Sequence, residues 1–204
     1  VEASELLMTG KYAIDTDMHT LFGSENLSGN KECIMYRHYD ASVSITHCVA
    51  SYNCNYEAQD QSANLDVVKA FICNDGKVWQ NSSVAAAKFD LENLMKTRDP
   101  RFESSFSNKL NSKAAALLFT NKFVDRTGPT LSLPLPPKYT SNTNTNDAPV
   151  IRYGEVLLNW IEAKAELATI GGTAVTQQDI NRSINVLRDR PLDAEAIGKG
   201  IVKT

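Results

Sequence analysis

Tyr52-Asn53-Cys54-Asn55-Tyr56-Glu57-Ala58-Gln59-Asp60 sets two phenol rings among amides and carboxylates. Sugars present apolar C–H faces fringed by hydroxyls. A protein that holds them needs flat rings for the faces and Asn, Gln, Asp or Arg for the fringe, so that few polar groups are left unpaired. Tyr52, Asn53, Asn55 and Tyr56 are the candidate ligand-binding residues of this stretch; the competing reading is that the tyrosines simply cover a loop. Trp79, in the turn after Asp75-Gly76, is a further candidate platform, weighed against packing at the edge of the core. Arg37-His38-Tyr39 can add polar contacts.

Other chemistries find less support. No nucleophile motif, phosphate loop, dinucleotide fingerprint or metal motif occurs, so no catalytic residue, metal ligand or cofactor is assigned. Asp60, Asp66, Asp75, Asp90 and Glu92 could supply the acid/base pair of a glycosidase, but no spacing favours any two of them. The four cysteines, Cys33, Cys48, Cys54 and Cys73, form no CxxC pair. His47-Cys48 lacks the second pair of ligands that zinc sites use. A Cys48–Cys54 disulfide is compatible with an exported protein, but spacing alone does not establish it.

The chain has 204 residues, 42% hydrophobic and 22% charged, enough for one domain with a sizeable core. A net charge of −3 gives no electrostatic footprint for nucleic acid or an anionic membrane. No apolar run approaches the roughly 20 residues of a bilayer-spanning helix.

The elements that must position these residues are mostly helical, with irregular loops and a few short strands. Glu2 to Thr9 reads as a helix end stopped at Gly10. Asp15 to Asn30 reads as a polar surface loop, Glu32 to Ser44 as a strand, and Tyr52 to Asn64 as a long irregular loop. Leu65 to Phe71 and Val84 to Thr97 read as helices, Ala114 to Val124 as a strand, and Asp125 to Asp147 as loop.

The clearest pattern lies from Ala148 to Arg190. Pro149 and the β-branched Val150-Ile151 favour extended entry. Tyr153, Val156, Leu157, Trp160, Ile161, Ala165 and Ala168 then recur three or four apart, one face of a helix. Gly171-Gly172 stops it, Thr176 and Asp179 form a capping pair, and Ile180, Ile184 and Leu187 mark a second helix that ends before Pro191. Trp160 is expected to be buried on the stripe. Arg152, Arg188 and Arg190 are expected to be structural, pairing with Glu155 or helix-end carbonyls. The hairpin's proportions match tetratricopeptide units, which stack to bury a shared face. Its stacking partner would be Glu2–Thr9 or helices beyond this chain.

Pro149-Val150-Ile151-Arg152-Tyr153-Gly154-Glu155-Val156-Leu157-Leu158-Asn159-Trp160-Ile161-Glu162-Ala163 resembles the C-terminal signature of the SusD/RagB family, and Ile184 to Arg190 resembles the close of its second helix. Arg98-Asp99-Pro100-Arg101-Phe102 is similar to the family's RDPRF element, in which an Asp can cap and a Pro can open a helix. Asn64 to Gly76 resembles a further segment, with Asn64-Leu65 where Pro-Thr is usual, and Glu5 to Tyr12 resembles a family helix end. The resemblance implies a SusD-like α fold with tetratricopeptide-type hairpins. It implies one domain fragment over 1–204, with a variable loop-rich part over 11–147 and the terminal hairpin over 150–190. Family members are longer and begin with a signal peptide and a lipid-attached cysteine, so the chain reads as an internal or C-terminal piece.

The family consists of surface-exposed outer-membrane lipoproteins of Bacteroidota that capture glycans or peptides and pass them to a SusC-like TonB-dependent transporter. The resemblance therefore implies a non-catalytic nutrient-binding protein, lipid-anchored through a residue outside this sequence. It places the Tyr52–Asp60 stretch in a region that often contributes to ligand binding. The competing hypotheses are a helical-repeat module that binds a protein, and a glycoside hydrolase.

Overall fold

A computed structural model describes residues 1–53, 63–84, 89–107, 118–127 and 136–204. In chain order the regular elements are α1 (Glu2–Glu5), α2 (Met18–Gly23), β1 (Cys33–Arg37), α3 (Val49–Asn53), α4 (Leu65–Ala70), α5 (Leu91–Thr97), α6 (Arg101–Ser105), β2 (Phe106–Ser107), β3 (Phe119–Thr120), β4 (Ala148–Arg152), α7 (Tyr153–Thr169), α8 (Gln177–Arg182), α9 (Ile184–Arg188) and α10 (Ala194–Gly198). The fold is mainly α: β1 pairs with β4, β2 pairs with β3, and each sheet has two strands. The chain forms two compact units. The first comprises Val1–Thr16, Leu27–Arg37 and Pro149–Pro191; the second comprises Asp17–Asn26, His38–Ala148 and Leu192–Thr204.

In the first unit, α7 buries Tyr153, Val156, Leu157, Trp160 and Ile161. The expected stripe holds over these turns and fades beyond them, where Ala165 is exposed. Leu7, Met8, Tyr12, Ile34, Val186 and Leu187 pack on its start. Tyr12 stacks on Tyr153 at 6.0 Å, and α1 lies against α7, so the Glu2–Thr9 segment is a stacking partner of the hairpin. Trp160 is buried as expected, and its Nε1 donates to Glu5 Oε1 at 3.1 Å. Gly171 adopts φ +95°, which glycine reaches without a Cβ penalty, and Thr176 with Asp179 forms a full capping box. The second helix is not continuous. Ser183 leaves helical geometry, and its Oγ donates to the Asp179 carbonyl at 2.7 Å, so a side chain competes with the helix ladder and splits it into α8 and α9.

The arginines of the signature find a partner that sequence neighbours did not indicate. Glu32 is fully buried. Arg190 grips it with two bonds of 2.6 and 2.7 Å, and Arg152 donates to it at 3.0 Å. Arg190 also donates to the Thr16 carbonyl at 2.6 Å.

The second unit has a core of Val68, Leu94, Met95, Phe102, Phe106 and Leu118, in which Phe102 meets Phe71 and Phe106 at 5.2 and 5.1 Å. Ala50, Val124 and Tyr139 form a smaller core. β2 and β3 are antiparallel, with Phe106 opposite Thr120. Side-chain caps start its helices: Asp17 accepts from the Thr20 amide, Asn64 from Asp66, Asp90 from Asn93, and Asp193 from Glu195 and Ala196, each satisfying an orphan amide of the first turn.

Several boundaries differ from expectation. The polar stretch Asp15–Asn30 contains α2, which buries His19, Leu21 and Phe22; Met18, Leu21 and Phe22 have helical spacing, but over a single short turn within polar sequence. The expected strand Glu32–Ser44 ends at Arg37, and Asp40 then caps a 3-10 turn closed by Ser44 at φ 58°. The helix expected from Val84 starts at Leu91 behind the Asp90 cap. Of the strand expected over Ala114–Val124, Phe119–Thr120 is seen among the described residues, and Phe123 turns the chain at φ 67°.

Candidate ligand-binding site

In the second unit, α3 carries Tyr52 and Asn53. Its root is the polar run Asn142–Asp147, which sequence composition marked as loop but which is largely internal: Asn144, Asn146 and Asp147 are fully buried. Asn144 exchanges both backbone hydrogen bonds with His47, each 3.0 Å. Its side-chain oxygen accepts from the Ser51 amide at 3.1 Å, and its nitrogen donates to the carbonyls of Lys138 and Thr140. His47 Nδ1 accepts from the Val49 amide at 3.1 Å, so Nε2 carries the proton toward the Asn146 carbonyl at 3.0 Å. Burial pushes the His47 pKa below the ordinary imidazole value, against the smaller opposite effect of that carbonyl. A neutral His47 with both nitrogens engaged is a fixed post, and Tyr52 stands 43% exposed at the helix end beyond it.

Beside this post lies a second polar group. Tyr39 meets His47 edge-on at 4.6 Å. The buried carboxylate of Asp147 accepts from the Tyr39 amide at 3.1 Å and sits 2.8 Å from His38 Nδ1, while the His38 ring remains more than half exposed. His38 is thus oriented by a buried carboxylate. Sequence reading placed it in an alternating strand; it follows β1 instead.

Asn55 and Tyr56 lie outside the described residues, as do Cys54 and Asp60. Trp79 belongs to a different cluster. The Asp75-Gly76 turn, with Gly76 at φ 76°, is tied by the Asp75 carboxylate to Ser82 Oγ at 3.0 Å and to the amides of Lys77 and Ser83. Trp79 opens a 3-10 turn over Trp79–Asn81, is half-buried, and meets Phe89 edge-on at 4.9 Å.

Three of the five carboxylates weighed for hydrolysis are engaged in structure, and Asp60 lies outside the described residues. Asp90 caps α5, Asp75 holds its turn, and Glu92 pairs with Lys96 at 2.8 Å one helical turn away. Cys48 and Cys73 are free thiols, and no group of three or more His, Cys, Asp or Glu among the described residues is placed to hold a metal ion.

The second unit also contains a cavity of about 350 Å³ walled by Asp17, His19, Thr20, Asp125, Arg126 and Asp193. Behind it Arg126 is clamped by Glu103 at 2.6 and 3.0 Å and by Asp193 at 3.1 and 2.6 Å, with Lys199 at 2.7 Å from Glu103. Burial alone would raise the Glu103 carboxyl; His19, the Arg126 guanidinium and the Lys199 ammonium outweigh it and hold the group well below the ordinary carboxylate range. Sequence reading missed this network because its members are scattered along the chain.

The SusD family model matches residues 31–193. No curated protein sequence matches the chain. Among solved structures it is similar to a SusD-like carbohydrate-binding protein from Bacteroides fragilis, with 22% identity and a TM-score of 0.65. The match covers 93% of this chain and 39% of that one, so the likeness is one of fold and the chain spans well under half of that protein's length. With the family model covering the Glu32 cluster, the Asn-rich hub and the hairpin alike, the chain belongs to the SusD family.

Proposed function

We propose that the chain serves non-catalytic capture of nutrient oligosaccharides at the bacterial outer surface, for delivery to a SusC-like TonB-dependent transporter. Membership of the SusD family carries this reading, and the carbohydrate-binding description of the structural relative supports it. The local chemistry agrees. Tyr52 is an exposed ring on a rigidly rooted helix, and Asn53 shares that helix. The two continue into Asn55 and Tyr56, so ring and amide chemistry lie next to each other along one stretch of chain. Trp79 is a second ring for the ligand, in its own cluster. No helix among the described residues is long and apolar enough to cross a membrane; attachment through a lipid outside this sequence belongs to the same proposal.

Isothermal calorimetry of the chain against a panel of neutral and acidic oligosaccharides and short peptides tests the reading. Saturable glycan binding is expected, and Tyr52→Ala should weaken it roughly threefold to tenfold, the value of one aromatic contact. Binding of peptides alone would replace the ligand class, and indifference to every glycan and peptide would refute capture. Co-purification of the transporter with the full-length lipoprotein tests the delivery step.

A further inference from the structure

Arg190 and Arg98 are both buried, 7% and 1% exposed. Arg190 has Glu32. Arg98 has no carboxylate among the described residues: Nη1 donates to Thr97 Oγ1 at 3.2 Å and approaches Cys73 Sγ at 3.5 Å, while Nε and Nη2 are buried without a partner. Trp79 Nε1 is likewise buried without a partner. These groups share a neighbour. The Arg98 guanidinium lies 5.3 Å from the centre of the Phe89 ring, and the Trp79 ring meets the same phenyl edge-on at 4.9 Å. Three donor nitrogens with no acceptor therefore belong to two side chains that meet one ring.

The backbone holds them in place. Cys73 bridges to Arg98, the Asn74 amide donates to the Thr97 carbonyl at 2.8 Å, and the Asp99 amide donates to the Ile72 carbonyl at 2.8 Å. The acids nearest in sequence are committed elsewhere. Asp99 holds Arg101 Nε and Nη2 at 2.6 and 3.0 Å, and Asp75 holds its own turn. The unpartnered Nε/Nη2 edge of Arg98 is the edge through which Arg101 grips Asp99 and Arg126 grips Asp193. Two parallel N–H groups on that edge fit a planar carboxylate or two oxygens of a sulfate. A neutral hydroxyl would satisfy an N–H but leave the buried charge uncompensated.

We infer that Arg98 and Trp79 form an oxyanion recess that takes the carboxylate or sulfate of an acidic sugar within the captured oligosaccharide. The inference rests on the glycan-capture reading. The donors are closed from solvent, and Phe89, 37% exposed, is the neighbour that both side chains share; entry of the anion in this proposal requires that ring to turn aside.

The test measures thermal unfolding and calorimetry of the chain with glucuronate, glucose 6-sulfate and glucose at matched concentrations. A ligand that binds only the folded state raises Tm with concentration, so the two acids, but not glucose, are expected to do so. Arg98→Met should abolish the acid-specific shift, and Trp79→Phe, which keeps a ring and deletes one donor, should weaken acid binding about tenfold. If Arg98→Met does not fold, Trp79→Phe decides. Equal responses to glucuronate and glucose, or acid responses unchanged in the variant that folds, overturn the recess. So does a crystal structure at saturating glucuronate with water alone on Nε and Nη2. Glycan binding without acid preference would leave capture standing and remove the recess; indifference to every oligosaccharide would remove both.

Discussion

Glu32 and Arg98 are both fully withdrawn from water, one in each compact unit, and the chain treats them in opposite ways. Glu32 receives three guanidinium bonds from Arg190 and Arg152, so its charge is closed off inside the protein. Arg98 has an unpartnered donor edge, and the Trp79 indole N–H, on a ring that meets the same Phe89, is equally unmet. A buried charge that is fully paired does structural work, because nothing else can reach it. The unfilled edge of Arg98 is where the proposed recess places the anion of the ligand.

That contrast can be broken by mutation. Glu32→Gln removes the counter-charge that Arg190 has among the described residues, and should cost about 3–5 kcal/mol in urea unfolding, the penalty for stranding a buried charge. A loss below about 1 kcal/mol would mean that the cluster is not holding the first unit together.

Acid should act next most strongly, through the second unit. Glu103, Asp99 and Asp193 are each held below the ordinary carboxylate range by cationic and hydrogen-bonding partners that outweigh their burial. A depressed folded-state pKa means that the unfolded chain binds more protons as pH falls. Their contribution is therefore complete above the unfolded value of about 4 and is lost on acidification below it. Roughly 2 kcal/mol should disappear between pH 5 and pH 3, read as a falling urea midpoint. A flat profile over that range would contradict the ion-pair assignment of Glu103.

Arg98→Met should raise unfolding free energy by about 1–4 kcal/mol, since an apolar chain replaces an unpaired buried charge without stranding a carboxylate. Equal, large losses for Glu32→Gln and Arg98→Met would erase the difference between the two regions. The smallest effect belongs to Tyr52→Ala, within about 0.5 kcal/mol of wild type because the ring is exposed, measured in the same urea series.

The sequence made α7 legible because five buried side chains recur at helical spacing and Trp160 sits among them. The capping box of Thr176 and Asp179 was equally local. The Glu32 cluster was not, since its arginines lie 120 and 158 residues away in sequence, and spacing along one helix pointed to Glu155 instead. α2 escaped notice because its helical spacing, behind the Asp17 cap, runs over a single short turn. In the RDPRF element, the adjacency of Arg98 and Asp99 invites a pairing that the fold refuses, since Asp99 turns to Arg101. Tyr52 and Trp79 were visible as ring chemistry in polar surroundings, but nothing in composition showed that Trp79 would share Phe89 with an unpaired guanidinium.

Capture without turnover is the central claim, and one measurement addresses it directly: incubate the chain with an oligosaccharide that it retains in calorimetry, release the ligand by denaturation, and compare its mass with that of the input. The account predicts stoichiometric recovery of the intact oligosaccharide, however long the incubation. Shortened products that accumulate with time, or no retained glycan from the full panel, would contradict it.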